Sequence, residues 1–276
     1  MVFRWLRGLF SGETPQPAAA PGAAASEPVA APDFPPWEPE QETKANLAVA
    51  HLQQNLLEMM KSEKGVHAET LMAVIGAIAG HAVIHAIVED QVKTGRLPQG
   101  AQLMEARTAD GRKYYFGDHL NGYLIPEGRQ PYPLWTVVSS AALAAGVPQA
   151  ELPKIDALFA HVTATIGTPE FGKLRPIEGH DTAWPPLECL MAFWPVARKL
   201  FAYTFPGSPE DQPLAVRHWP MVAAIVAQHY VAMTKDILDP RLAVLIFMES
   251  AVAMSKVDPE TVPQEMPTTP EPGKQG

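Results

Sequence analysis

The chain has 276 residues, of which 47% are hydrophobic, enough for one large domain or two small ones with tails. Its formal net charge of -9, without any concentrated basic patch, argues against a nucleic-acid backbone as partner. The single cysteine, Cys189, excludes an internal disulfide framework and is typical of a reducing, cytoplasmic compartment.

Residues 1–10 form a short amphipathic segment. Arg4, Arg7 and Gly8 lie on one side of a helical wheel, and large apolar residues cover the rest. Arg7 interrupts the apolar run that a secretory signal needs, and the segment is too short to span a bilayer. We predict that it docks on an anionic membrane surface, at the inner face of a membrane, or on a partner protein. The alternative is that these residues have no specific role. The predicted docking residues are Phe3, Arg4, Trp5, Leu6, Arg7, Leu9 and Phe10.

The 29 prolines cluster at the two ends of the chain, which divides it into segments. Residues 11–42 are rich in proline and alanine and are predicted to be a disordered linker. Phe34 and Trp37, near its end, are expected to staple it to the globular domain. The domain is predicted to span residues 43–256, and the acidic, proline-rich tail 257–276 is predicted to be disordered.

The stretch from Glu69 to Val92 predicts a buried central helix, because its apolar run is too long for a strand and lacks period-two alternation. A membrane span is disfavoured by two histidines near its end and by Glu89 and Asp90 directly after it. Gly76 and Gly80 on one flank should let another backbone come close.

His81 and His85 lie on successive turns of this helix, a spacing at which one metal ion or one ligand can be held. The pattern is HxxxH and lacks the glutamate base of the zinc proteases. The alternative is a pair of core histidines hydrogen-bonded to neighbouring helices. No cofactor is firmly implied, although a bound metal is possible.

A β-hairpin is predicted around Ala109-Asp110-Gly111, because Asp-Gly between two strand-like segments favours a tight turn. Asp118 follows as a candidate helix N-cap, with His119 and Asn121 close to it. These three residues either line a site or belong to ordinary turn and cap chemistry.

The loop from Gly167 to Ala183 has no periodicity, and loops of this length are usually functional or disordered. Glu178, His180 and Asp181 have the side chains of a metal shell or an acid/base pair. The alternative is a solvated loop with a helix cap at Asp181 or Thr182.

Three helices are expected in the last third of the chain, with a proline, Pro195, inside the first. Cys189 is interpreted as a small buried apolar side chain. His229 lies on the apolar stripe of the next helix, and Asp239-Pro240 should cap and open the last. Glu249 faces the interior of that helix and requires a partner, for which His81, His85, His229 and Arg241 are candidates.

The sequence therefore predicts a single all-α domain of about six or seven helices around a buried central helix, with one small β-hairpin. It carries no P-loop, dinucleotide fingerprint, zinc-finger spacing or nucleophile elbow. We expect a non-catalytic binding or adaptor domain recruited through residues 1–10. The alternative is a metal- or cofactor-dependent helical enzyme or sensor, with His81, His85 and Glu249 as metal ligands.

Overall fold

The computed structural model describes residues 34–126, 130, 132–203 and 213–265. These residues form an all-α domain with a single two-stranded sheet, as the sequence predicts. Predictions for residues 1–10, most of the linker and the end of the tail lie outside the described residues. The helices are α1 Glu42–Met60, α2 Ala68–Ala86, α3 Asp118–Leu124, α4 Leu134–Ala144, α5 Ile155–Thr165, α6 Pro186–Phe201, α7 Trp219–Thr234 and α8 Pro240–Met254. The strands are β1 Met104–Arg107 and β2 Lys113–Phe116.

Helix α2 is the centre of the domain. Apart from Glu69, each of its residues is buried, and it packs mainly against α8, α7 and α6. Together with its continuation it is long and apolar enough to cross a membrane, but 94% of its apolar window is buried inside the domain. A helix that is apolar on all sides is buried either in lipid or in a protein core, and here the other helices cover it.

The crossing of α2 and α8 depends on the two glycines predicted to allow a close approach. A Cβ atom at Gly76 would collide with the carbonyl oxygen of Phe247, and one at Gly80 would collide with the backbone of Ala251. Gly80→Ala would therefore force the two backbones apart. Small residues at this crossing fix the distance between the two most buried helices.

Helix α2 changes to a π-helix at Ile87–Val92 before the chain turns at Gly95, whose φ is 70°. Such segments are rare and occur frequently at functional sites. The wider turn alters which side chains of this segment face inward, a change that apolar periodicity does not reveal.

The predicted hairpin is confirmed, with β1 and β2 antiparallel and Gly111 in the turn at a φ of 86°. The chain that follows α8 pairs with the edge of β2 that faces away from β1. There the backbone N–H of Tyr115 donates to the carbonyl of Lys256 over 2.9 Å, and Tyr114 forms a bridge with Val257. The hairpin is thus hydrogen-bonded to the residues that follow the last helix.

Several predicted boundaries and caps are corrected by the structure. Asp118 is the first residue of α3 and not its N-cap, a position that Gly117 takes. Neither Asp181 nor Thr182 caps a helix, because α6 begins at Pro186 after Pro185. The cap at Asp239 is confirmed, since its side chain accepts a hydrogen bond from the N–H of Arg241.

The folded domain is longer than the predicted 43–256. Gln41 at its start and Val257, Asp258 and Val262 at its end are buried. A 3-10 helix at Pro259–Thr261 also lies beyond the predicted boundary. Burial of these flanking residues could not be inferred from their proline-rich composition.

Candidate functional site

The end of the linker is held to the domain by a group of side chains that we call the linker clamp: Trp37, Glu38, Arg217 and His218. Arg217 binds the Glu38 carboxylate through two nitrogens, Nε at 3.1 Å and Nη2, and His218 Nε2 lies 3.5 Å from the same carboxylate. The Trp37 ring meets the His218 ring edge to face at 5.7 Å. The prediction that Trp37 staples the linker to the domain agrees with these contacts.

Charge and burial act differently on the two titratable groups of the clamp. The hydrogen bond from Arg217 is the largest influence on Glu38, and its pKa lies below the ordinary value. Burial, with Arg217 adding to it, lowers the pKa of His218. The clamp is therefore a carboxylate–guanidinium pair beside a neutral imidazole at physiological pH.

A cavity of about 200 Å³ opens next to the linker clamp, and we call it the Tyr123 cavity. Arg217 and His218 line it together with Pro36 from the end of the linker. The rest of its lining is largely aromatic or apolar: Tyr123, Gln130, Tyr132, Leu134, Pro220 and Met221. An apolar pocket with a few polar groups converging on it is the usual form of a small-ligand site.

A chain of hydrogen bonds leads to the cavity from the π-helix. His119 Nε2 lies 2.5 Å from Oε1 of Gln91, and Nε2 of Gln91 donates to the Tyr123 hydroxyl over 2.8 Å. Because an amide oxygen only accepts, His119 carries its proton on Nε2. Burial lowers the pKa of His119 and raises the pKa of Tyr123, so both are neutral. The chain fixes the Tyr123 hydroxyl at the cavity wall.

His81 and His85 lie in the core of the domain. His81 is fully buried with its ring edge-on to Trp194 at 4.4 Å, and His85 stacks on Trp219 at 5.2 Å. Burial lowers the pKa of His81 to about 3 and that of His85 to about 4. Both are neutral imidazoles held in an aromatic sandwich.

Several polar atoms of this region lack a hydrogen bond of good geometry among the described residues. They are both ring nitrogens of His81, Nδ1 of His85, Nε1 of Trp194 and Nε of Arg198. His81 has one weaker contact with a neighbouring helix, since the backbone of Met254 in α8 acts as a hydrogen-bond partner and raises its pKa by less than burial lowers it. The close packing against Trp194 is the main contact of its ring.

The predicted metal site is not assembled as a group of three ligands. The described residues include no cluster of three or more His, Cys, Asp or Glu side chains arranged to hold a metal. The His81 and His85 ring centroids are 6.3 Å apart, whereas a tetrahedral ion between two imidazoles brings them to roughly 5 Å. Glu249, the third proposed ligand, has another partner.

Glu249 pairs with Arg175 from the long loop. Arg175 was not among the four predicted partners, so that prediction is wrong. The Glu249 side chain is 1% exposed, and it accepts from Nε of Arg175 and from the Arg175 backbone N–H at 3.0 Å. The loop from 167 to 183 thus lies against the core and neutralises a buried carboxylate.

The other candidate residues of the sequence are dispersed. His180 Nδ1 lies 2.9 Å from Oε1 of Glu69 at the start of α2, whereas Glu178 and Asp181 are exposed. His229 is exposed and lies 3.0 Å from the side-chain oxygen of Gln53. Asp118 is exposed beside His119. Of the predicted polar residues, only His119 is linked to the Tyr123 cavity.

Lys256, which the sequence did not single out, is a buried lysine without a carboxylate in contact among the described residues. It is 3% exposed, its ammonium donates to Oδ1 of Asn121 over 3.0 Å, and it faces the rings of Phe116 and Phe159 at 5.8 and 5.6 Å. Burial lowers its pKa to about 7. Its place seven residues after Glu249, at the end of an apolar helix, was the signal that could have revealed it.

Cys189 is a buried thiol in α6, as predicted. It is fully buried, and burial raises its pKa to about 12, so the reactive thiolate is not formed at neutral pH.

Comparison with known proteins gives no relative: no family model matches the chain, and neither a curated protein nor a solved structure matches it significantly.

Proposed function

We propose that the protein is a non-catalytic helical binding or adaptor domain, held at an anionic membrane surface by residues 1–10. The observation that supports it is the linker clamp, because Trp37 and Glu38 fasten the linker to the domain through Arg217 and His218. The clamp sets the place at which the linker leaves the domain, and a domain tethered through residues 1–10 would be oriented by it.

The titratable core residues support the same proposal. Glu249 is neutralised by Arg175, His180 is paired with Glu69, and the Cys189 thiol is buried. In the described part of the chain, each of these groups serves the fold. An acid/base pair would need two such groups with matched pKa values facing a common substrate.

Residues 1–10 carry the surface attachment in this proposal. Basic residues near an anionic leaflet contribute about 1 kcal/mol each, so Arg4 and Arg7 together contribute about 2 kcal/mol, roughly a thirtyfold change in partitioning. Large apolar side chains such as Trp5 and Phe10 would enter the interface. The affinity is expected to fall with salt, because the arginine contribution is screened.

The test is sedimentation of the full chain with vesicles of 30% phosphatidylglycerol and 70% phosphatidylcholine. Binding should weaken about thirtyfold in Arg4→Gln/Arg7→Gln and also weaken in Trp5→Ala/Phe10→Ala. A matched control is Arg107→Gln/Arg112→Gln, which removes two hairpin arginines and should bind as the wild type does. Equal binding by all variants, or none at low salt, would reject membrane docking. If recovery of a protein partner depended on Trp5 and Phe10 while vesicles did not bind, docking would be to protein.

A second candidate function is metal-dependent sensing by His81 and His85, favoured by Nδ1 of His85, which has no hydrogen-bond partner among the described residues. Neutral imidazoles are good ligands for transition metals. Elemental analysis of wild-type protein and of His81→Ala/His85→Ala decides it. A stoichiometric metal lost in the variant supports the sensor, and equal metal content in both proteins rejects it.

A further inference from the structure

Two residues that line the Tyr123 cavity, Arg217 and His218, already hold a carboxylate, that of Glu38. Arg217 offers two nitrogens to Glu38 and His218 offers a third. A guanidinium that presents two parallel N–H groups matches a carboxylate in geometry as well as in charge. The carboxylate that now fills these donors comes from a segment outside any helix or strand.

Glu38 is held weakly enough to be displaced. Its side chain is 41% exposed and that of Arg217 is 38% exposed. Ion pairs at this exposure are screened by water and contribute little to stability. A second carboxylate that also gained apolar contacts would therefore compete successfully for the same donors.

The cavity next to these donors supplies such apolar contacts. Tyr123, Tyr132, Leu134 and Met221 contribute to its wall. Its volume of about 200 Å³ is below the roughly 300–1,000 Å³ of sites for drug-sized molecules. An occupant with a small aromatic or branched apolar body fits this space, and its acid group would meet Arg217 and His218.

We propose that the Tyr123 cavity binds a small monocarboxylate with an aromatic or branched apolar body, and that its carboxylate displaces Glu38 from Arg217 and His218. Binding would then open the linker clamp. The inference goes beyond surface docking, because it concerns a soluble ligand and does not involve residues 1–10.

Benzoate is the probe, titrated by NMR into the full chain and into variants. Glu38→Gln removes the internal competitor without removing a donor, so benzoate should bind about two- to fivefold more tightly. Glu151→Gln is the matched control, since Glu151 forms an exposed ion pair with Arg241 at 2.6 Å away from the cavity. Its affinity for benzoate should equal that of the wild type.

Removing the guanidinium tests the site itself. Arg217→Met should weaken benzoate binding at least tenfold, because hydrogen bonds to a charged group are lost. Arg217→Lys, which keeps the charge but loses the paired geometry, gives the same comparison if the methionine variant does not fold. Benzyl alcohol, the neutral analogue, should not gain affinity in Glu38→Gln.

Three results would overturn the proposal. The first is a failure of benzoate to bind Glu38→Gln at 10 mM, an upper limit on the order of the weakest useful affinity. The second is equal affinity for wild type, Glu38→Gln and Glu151→Gln. The third is binding that does not depend on Arg217, which would place benzoate elsewhere on the protein. Each outcome is independent of vesicle binding, so failure here leaves the docking proposal intact.

Discussion

The buried lysine at the end of α8 gives the sharpest test of the structure, because its charge state is coupled to stability. Burial lowers the pKa of Lys256 from 10.5 to about 7, a difference of 3.5 units. At about 1.4 kcal/mol per unit, this corresponds to a penalty of roughly 5 kcal/mol for holding the charged amine in the fold.

The sign follows from proton counts in the two states. Between pH 7 and 10.5 the unfolded chain keeps the proton on Lys256 and the folded chain does not, so the free energy of unfolding rises with pH. The contribution of this residue has a slope of up to about 1.4 kcal/mol per pH unit. Below pH 7 both states are protonated and the slope from this residue disappears.

Lys256→Met removes the amine and keeps the length of the side chain. The variant should be more stable than wild type at pH 7, by about 2–4 kcal/mol once the lost hydrogen bond to Asn121 is subtracted. The gain should shrink steadily toward pH 10. The measurement is urea unfolding of both proteins at several pH values, since other titrating groups cancel in the difference between them.

Lys113→Met is the matched control, because Lys113 lies in β2 and pairs with Asp258, two residues after Lys256. The hydrogen bond with Asp258 raises the pKa of Lys113, so its stabilising effect is fully present below 10.5. The difference between this variant and wild type should therefore stay constant from pH 7 to 10. A flat difference for Lys256→Met as well would refute the reasoning, because it would mean that the ammonium of Lys256 is solvated in the folded protein.

Three further predictions concern the core. Gly80→Ala should lower the free energy of unfolding by about 1–3 kcal/mol or more through overpacking against Ala251, measured by urea unfolding. Arg175→Met should cost about 3–5 kcal/mol, because Glu249 then keeps the backbone N–H of residue 175 but loses its cation. Arg175→Met/Glu249→Met should recover most of this loss, and a double variant as unstable as the single one would contradict the buried pair. The pKa values of His81 and His85 are lowered to about 3 and about 4, so as the pH falls the unfolded chain binds these protons before the folded chain does. The free energy of unfolding should therefore decrease as the pH falls below 6.5, and His81→Leu should make this decrease smaller. An unchanged acid profile in the variant would exclude His81 as a cause.

The sequence predicts those parts of the fold that depend on local pattern. Apolar periodicity identified the helices, Asp110-Gly111 identified the hairpin, and Asp239 identified a helix cap. These features depend on residues close in sequence, for which spacing carries the information.

The candidate site could not be predicted in the same way, because its residues are distant in sequence. Glu38 meets Arg217, Gln91 meets Tyr123, and Glu249 meets Arg175. Many carboxylates and cations in the chain could have paired, and only the packing of the helices selects among them. The π-helix that presents Gln91 leaves no pattern in composition or spacing.

Helix α2 has a consequence for how the protein is made in the cell. Its apolar surface is covered by α7 and α8, and α7 begins at residue 219 whereas α2 ends at residue 86, a gap of 133 residues. At roughly 5–20 residues per second, synthesis leaves α2 without these neighbours for about 7–27 seconds. During that interval the nascent chain exposes a long apolar helix, so we expect it to bind chaperones and to aggregate when they are scarce.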